Sequence, residues 1–141
     1  MKARICAYLL GLLCLCSFPA PLLSQSQDKP TPSAHQKGPD GLEGWTLNWP
    51  NPDRDGELIP FTLIIARNGH TIRRIEGDPT IWKWIFWADG KQVAYMTGSL
   101  HFSATCILAD LATGKRLGSY DCYRDLPPQK PDWVDALEAS E

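Results

Sequence analysis

Histidine, methionine and surplus positive charge are all scarce in this sequence. Three histidines and two methionines occur in 141 residues, and no two histidines stand at i, i+2 or i, i+4 spacing. No H-E-x-x-H, C-x-x-C or G-x-S-x-G pattern is present, so a zinc site, a dithiol redox centre and a serine-hydrolase elbow each lack their usual framework. Lys and Arg number 14 against 16 Asp and Glu, a formal charge of −2. That balance supplies no basic field for a phosphate backbone and argues against nucleic acid as a partner. The length excludes a barrel enzyme or a complete propeller and leaves one ordinary domain.

The N-terminal residues 1–24 have the form of a secretory signal peptide. Lys2 and Arg4 precede an apolar run from Ile5 to Cys16 that Ser17, Phe18 and Pro19 interrupt, and the run is shorter than the roughly 20 residues a spanning helix needs. No A-x-A pattern marks the cut, which is expected between Cys16 and Ser26. A lipidated N-terminus at Cys14 or Cys16 is the weaker reading, because Leu13 and Leu15 stand where small residues belong. Loss of 1–24 removes two basic and no acidic residues, leaving 12 against 16. The expected location is secreted or periplasmic, with no stable span once the signal is gone. Three cysteines leave with the signal, and the remaining pair, Cys106 and Cys122, is a candidate disulfide on compartment grounds.

Residues 25–56 carry Pro30, Pro32, Pro39, Pro50 and Pro52 among Gly, Ser, Asp and Gln, a composition that buries too little apolar surface to offset chain entropy. A disordered, proline-rich tether is expected there, with a short strand or docking segment where Trp45, Leu47 and Trp49 alternate with Thr46 and Asn48.

Residues 57–141 read as an antiparallel β domain. Phe61–Arg67 and His70–Ile75 flank Asn68-Gly69, the dipeptide best suited to a two-residue hairpin, which sets Arg67 opposite His70 and Ile65 opposite Ile72. Ile81–Trp87 and Lys91–Thr97 flank Asp89-Gly90, setting Phe86 opposite Val93 and Trp84 opposite Tyr95. Thr105–Asp110 and Lys115–Tyr123 form a third hairpin in which Gly114 suits a left-handed position and Cys106 faces Tyr120, one diagonal step from Cys122. Strand 81–87 is apolar on both faces, Trp82, Trp84 and Phe86 on one and Ile81, Ile85 and Trp87 on the other, so both faces should be covered. Beyond Pro127-Pro128, Trp133, Val134 and Leu137 form a helical stripe with Asp132 in the first turn. The expected fold is all-β, a small antiparallel β meander of about six strands, barrel- or sandwich-like, with a short C-terminal helix.

Two turns carry a resemblance. Trp87–Tyr95, containing Asp89-Gly90-Lys91, and Ile107–Lys115, containing Asp110-Leu111-Ala112-Thr113-Gly114-Lys115, resemble one blade of the WD40-like propeller repeats of bacterial exported proteins. In that family a D-G-K turn leads into the second strand and a D-x-x-T-G-K turn joins the third to the fourth. The match lies within residues 81–123, and it implies a four-stranded blade topology and no activity. The 57–137 arrangement as a whole also resembles small exported bacterial proteins of uncharacterised family.

No catalytic or metal set assembles from these residues, and no cofactor is implied. Ser99 or Ser103 with His101 and Asp110 has no oxyanion donor, and Asp53-x-Asp55-Gly56 lacks the closing Glu of a calcium loop. His101 and Phe102 lie in the longest inter-strand connection, a candidate binding loop. Trp82, Trp84 and Tyr95 are a candidate aromatic surface for stacking on a sugar ring, with burial in a small β core as the competing reading. The leading function is an exported, non-catalytic binding or interaction module whose partner is a protein or a cell-envelope glycan. The alternatives are a small enzyme or enzyme accessory using the 98–104 loop with His101, and a structural module that oligomerises through its sheet edges. The intact mass of the exported protein is expected to fit cleavage before Gln27, with two thiols alkylated only after reduction. Thiols labelled without reduction would remove the bridge, and added acyl mass would move the protein to a membrane surface.

Overall fold

The computed structural model describes residues 29–99, 102–124 and 129–140. The expected signal segment 1–24 and His101 lie outside the described residues. Among the described residues nine strands and one helix follow in order: β1 Thr31–Pro32, β2 Gln36–Lys37, β3 Leu42–Pro50, β4 Leu58–Arg67, β5 His70–Glu76, β6 Ile81–Trp87, β7 Gln92–Thr97, β8 Thr105–Asp110, β9 Arg116–Asp121 and α1 Asp132–Ala139. All pairings are antiparallel and fall into two sheets, β1-β3-β4-β5 with β2 also on β3, and β6-β7-β8-β9. The fold is therefore mostly antiparallel β with a short C-terminal helix, and among the described residues no barrel closes.

A tether over 25–56 is not what the structure has for residues 31–50. β3 pairs along its length with β4, Leu42 with Arg67 through Pro50 with Leu58. The prolines that suggested disorder flank this strand: Pro32 sits in the edge strand β1 and Pro50 at the end of β3, where a missing N–H is tolerated. The faces are also the reverse of the apparent pattern. Leu42, Gly44 and Thr46 are the buried set of β3. Trp45 lies on the opposite face, stacked on the His35 ring at 4.2 Å and 5°, while His35 Nδ1 lies 3.1 Å from Glu43 Oε2.

One hydrophobic cluster joins the two sheets. Leu42, Leu63 and Ile65 of the first pack with Ile81, Trp84, Val93 and Ala109 of the second and with Leu111. A second cluster covers the other face of the second sheet, where Ala94, Cys106 and Leu108 meet Trp133, Val134 and Leu137 of α1. The molecule is thus layered sheet, sheet, helix, and β6 is covered on both faces as its composition requires.

Four of the expected pairings hold and one, Ile65 with Ile72, is shifted by a bulge. Trp84 faces Tyr95, Phe86 faces Val93 and Cys106 faces Tyr120. Arg67 faces His70, but Ile65 faces Arg73 because Ile72 is an extra residue on β5. Between Ile81 and Lys83 the ladder skips Trp82, and the extra residue inverts the alternation. Ile81 accordingly joins Trp84 between the sheets and not Ile85 and Trp87 on the helix side. The turns behave as their residues require: Asn68 and Gly69 both take positive φ, 50° and 80°, the hairpin geometry that twists with its strands.

Cys106 and Cys122 form a disulfide with Cα atoms 5.8 Å apart. The ladder is regular at Cys106, and Cys122 N donates to Ala104 O at 2.8 Å just past β9, so the bridge is a diagonal one in continuous pairing. A disulfide fits an oxidising compartment, secreted or periplasmic. Among the described residues no helix is long and apolar enough to cross a membrane.

The sheets approach closely at Gly44, where an added Cβ would stand 2.4 Å from Trp84 Cη2 and 2.9 Å from Ile65 Cδ1. Gly44→Ala is expected to destabilise by roughly 1–3 kcal/mol through overpacking, read as a fall of several degrees in Tm. An unchanged Tm would mean that Trp84 does not rest on β3.

Candidate functional site

The β6 bulge creates a groove. Turning Trp82 out of the ladder leaves its half-buried ring beside the open end of the inter-sheet space, where a cavity of about 350 Å³ is walled by β6 on one side and by β3 and β4 on the other. Trp82 Nε1 donates to Gly98 O at 2.6 Å, which anchors the indole at its polar edge and leaves the ring to line the cavity. Trp84, 7% exposed, forms the inner wall, and Phe86 meets it edge-on with centroids 5.3 Å apart at 88°.

Facing these rings are Gln36 of β2, Thr46 and Asn48 of β3, and Leu58 and Pro60 of β4. Thr46 Oγ1 donates to Asn48 Oδ1 at 2.8 Å, which orients the Asn48 amide so that its donors remain for another acceptor. The groove holds one ionisable lining residue, Lys83. Its Nζ donates to Glu138 O at 2.8 Å and Ser140 O at 2.7 Å, carbonyls at the C-terminal end of α1 where a cation is favoured. Its charge is spent on tying the helix to β6. The groove therefore presents an indole face, amides and hydroxyls, with no free charge.

The candidate aromatic surface is thus only partly a surface. Trp82 and Trp84 both line the groove, but Trp84 is core in all but one wall. Tyr95 does not line it: the ring packs against the inter-sheet cluster, and burial pushes its hydroxyl pKa up, with Arg116 opposing in part. Phe102 is 81% exposed in its loop and is not a lining residue. The polar wall was missed because Gln36, Thr46 and Asn48 fall in the segment whose prolines suggested disorder, and the Asn48–Pro60 register that brings them opposite β6 is a tertiary fact.

Among the described residues no group of three His, Cys, Asp or Glu side chains is placed to hold a metal ion. Comparison with protein-family models, curated proteins and solved structures found no match.

At the other end of the sandwich the β8–β9 turn is closed by its own aspartate. Asp110 Oδ1 accepts from Thr113 Oγ1 and from Thr113 N, both at 2.7 Å. The hydroxyl first and the N–H second hold the carboxyl below its ordinary value of 3.8. A lowered carboxyl pKa stabilises the fold above that ordinary value, and the contribution is lost as pH falls through it toward the lower folded value. Thr113→Val is expected to raise the Asp110 titration midpoint toward 3.8 by NMR and to shrink the acid-dependent part of the Tm. A midpoint unmoved by the substitution would assign the shift to other groups.

Proposed function

We propose that this chain is an exported, non-catalytic binding module and that the groove beside Trp82 takes a neutral glycan of the cell envelope. The observation that carries the reading is the lining itself. A half-buried indole offers an apolar face to a sugar ring, and Gln36, Asn48 and Thr46 offer donors and acceptors to its hydroxyls, the usual division of labour in a small-molecule site. With Lys83 committed to Glu138 O and Ser140 O, the groove lining has no free cation to pair with a phosphate or carboxylate. The same fact weighs against catalysis, because general acid–base work needs a titratable group within hydrogen-bond reach of the ligand.

Export belongs to the same proposal. The basic–apolar pattern of residues 1–24 is that of a cleaved signal, and the Cys106–Cys122 bridge supports an oxidising destination. The blade-like reading of residues 81–123 is supported by the meander β6-β7-β8-β9 and by the Asp89-Gly90 and Asp110–Lys115 turns. It implies a single blade-type sheet stabilised by a second sheet and a helix where a propeller would supply neighbouring blades.

Titration with neutral β-linked oligosaccharides, N-acetylglucosamine and glucose oligomers as probes, is expected to change the indole fluorescence and to shift the Asn48 side-chain amide in NMR spectra. Trp82→Ala should weaken binding by at least about tenfold, the equivalent of about 1.4 kcal/mol, with Tm little changed because Trp82 lies outside both hydrophobic clusters. Oligosaccharides that leave Asn48 unmoved, or bind the variant as well as the parent, would overturn the glycan reading.

A further inference from the structure

The sandwich opens at both ends, and the two openings are lined differently. The larger, about 620 Å³, is rimmed by turn residues of both signs, Arg67, Lys91, Asp40 and Asp89 among them, as a solvated end allows. The groove beside Trp82, about 350 Å³, is at the small end of ligand sites. It has room for about one sugar residue, so the substituents of that residue decide what is recognised.

The wall opposite Trp82 is not uniformly polar. Across the β3–β4 ladder Asn48 pairs with Pro60 and Pro50 with Leu58, and Asn48, Pro60 and Leu58 all line the groove. Directly paired residues of an antiparallel ladder have Cβ atoms about 5 Å apart, and i, i+2 neighbours on one face of a strand lie about 7 Å apart. The Asn48 amide is therefore edged by apolar carbon. Leu58 is 45% exposed and belongs to neither hydrophobic cluster, so it is open to a ligand and not spent on the core. The amide is half satisfied. Thr46 Oγ1 donates to Asn48 Oδ1, and among the described residues neither Asn48 Nδ2 nor the Gln36 side-chain amide has a partner. This wall thus offers a free N–H donor and an apolar cover side by side.

Resting on the glycan reading of this groove, we infer that the residue it holds is an uncharged 2-acetamido sugar. An acetamido group carries a carbonyl acceptor and a methyl on one carbon atom, which is the same pairing in complement. Its carbonyl accepts from Asn48 Nδ2, its methyl covers Pro60 and Leu58, and Gln36 is left for ring hydroxyls. A plain hydroxyl at the same carbon supplies the acceptor and leaves Pro60 and Leu58 facing water. A deacetylated amino sugar brings an ammonium to a lining that contains no carboxylate. An acidic acetamido sugar meets no free cation, because Lys83 is tied to Glu138 O and Ser140 O.

The test is a set of affinities measured with three β-linked trisaccharides that differ at C2 alone, the trimers of N-acetylglucosamine, glucose and glucosamine. The N-acetyl trimer is expected to bind at least tenfold more tightly than either of the others, with a nuclear Overhauser contact between its acetyl methyl and the Leu58 methyl protons. Two variants locate the group. Asn48→Asp keeps an oxygen for Thr46 and removes the Nδ2 donor. It should weaken the N-acetyl trimer at least tenfold and the glucose trimer less, since a sugar hydroxyl can donate to the new carboxylate. Leu58→Ser, at an exposed position outside both clusters, should erase most of the preference for the N-acetyl trimer. Equal affinity for the N-acetyl and glucose trimers would overturn the acetamido assignment and leave the glycan reading standing, whereas no binding of any trimer would overturn both. A preference that survives both variants, or a glucosamine trimer that binds as tightly as the N-acetyl one, would also overturn the assignment.

Discussion

The ring of Trp84 occupies the space that a side chain at position 44 would fill, and the arrangement of the rest of the molecule depends on that contact. Only a residue without a Cβ lets β3 come so close, and the approach brings Leu42, Leu63 and Ile65 against Ile81, Val93 and Ala109. Gly38, just past β2, repeats the device, where an added Cβ would meet Phe86 Cδ2 at 2.5 Å. Two glycines that read in sequence as loop punctuation are the seats of the two rings that hold the sheets together.

The second sheet has a different partner on each face, and this division places the openings. On the outer face α1 buries Trp133, Val134 and Leu137 over Ala94 and Cys106, and the Cys106–Cys122 bridge ties β8 to the chain just past β9 beneath it. Lys83 then joins the end of the helix to β6, so Ser140 becomes part of the groove wall. On the inner face the sheets part at both ends. One opening takes its chemistry from strands, an indole with amides and hydroxyls. The other takes its chemistry from turns, whose residues are charged because turns are solvated. The two cavities differ in kind for that reason.

Local chemistry was the most readable part of the chain. Asn68-Gly69, Asp89-Gly90 and the Asp110–Lys115 turn specify φ > 0 or an aspartate-closed loop through their own side chains, and the registers of Trp84 with Tyr95 and Cys106 with Tyr120 follow from those turns. The apolar stripe of α1 was equally plain, because its 3.6-residue period needs no partner to be recognised. The bulges at Ile72 and Trp82 were not readable, since nothing in Thr71-Ile72-Arg73 or Ile81-Trp82-Lys83 distinguishes an inserted residue from an alternating one. The inward face of β3 is hidden in the sequence for a related reason. That face is Leu42, Gly44 and Thr46, and a scale of hydrophobicity gives Gly and Thr no weight as core residues even where a neighbouring tryptophan fills the space above them.

The sequence by itself determined an antiparallel β fold, its hairpin turns, the cysteine pair and the C-terminal helix, because each is written in residues near one another in the chain. Tertiary structure alone decided which face of β3 turns inward, which residue of β6 leaves the ladder, and which side chains surround the two cavities. Those outcomes depend on how one sheet's shape fits another's, and the contacts that settle them, Gly44 with Trp84 and Lys83 with Glu138 among them, join residues too far apart in the chain for any local period to encode.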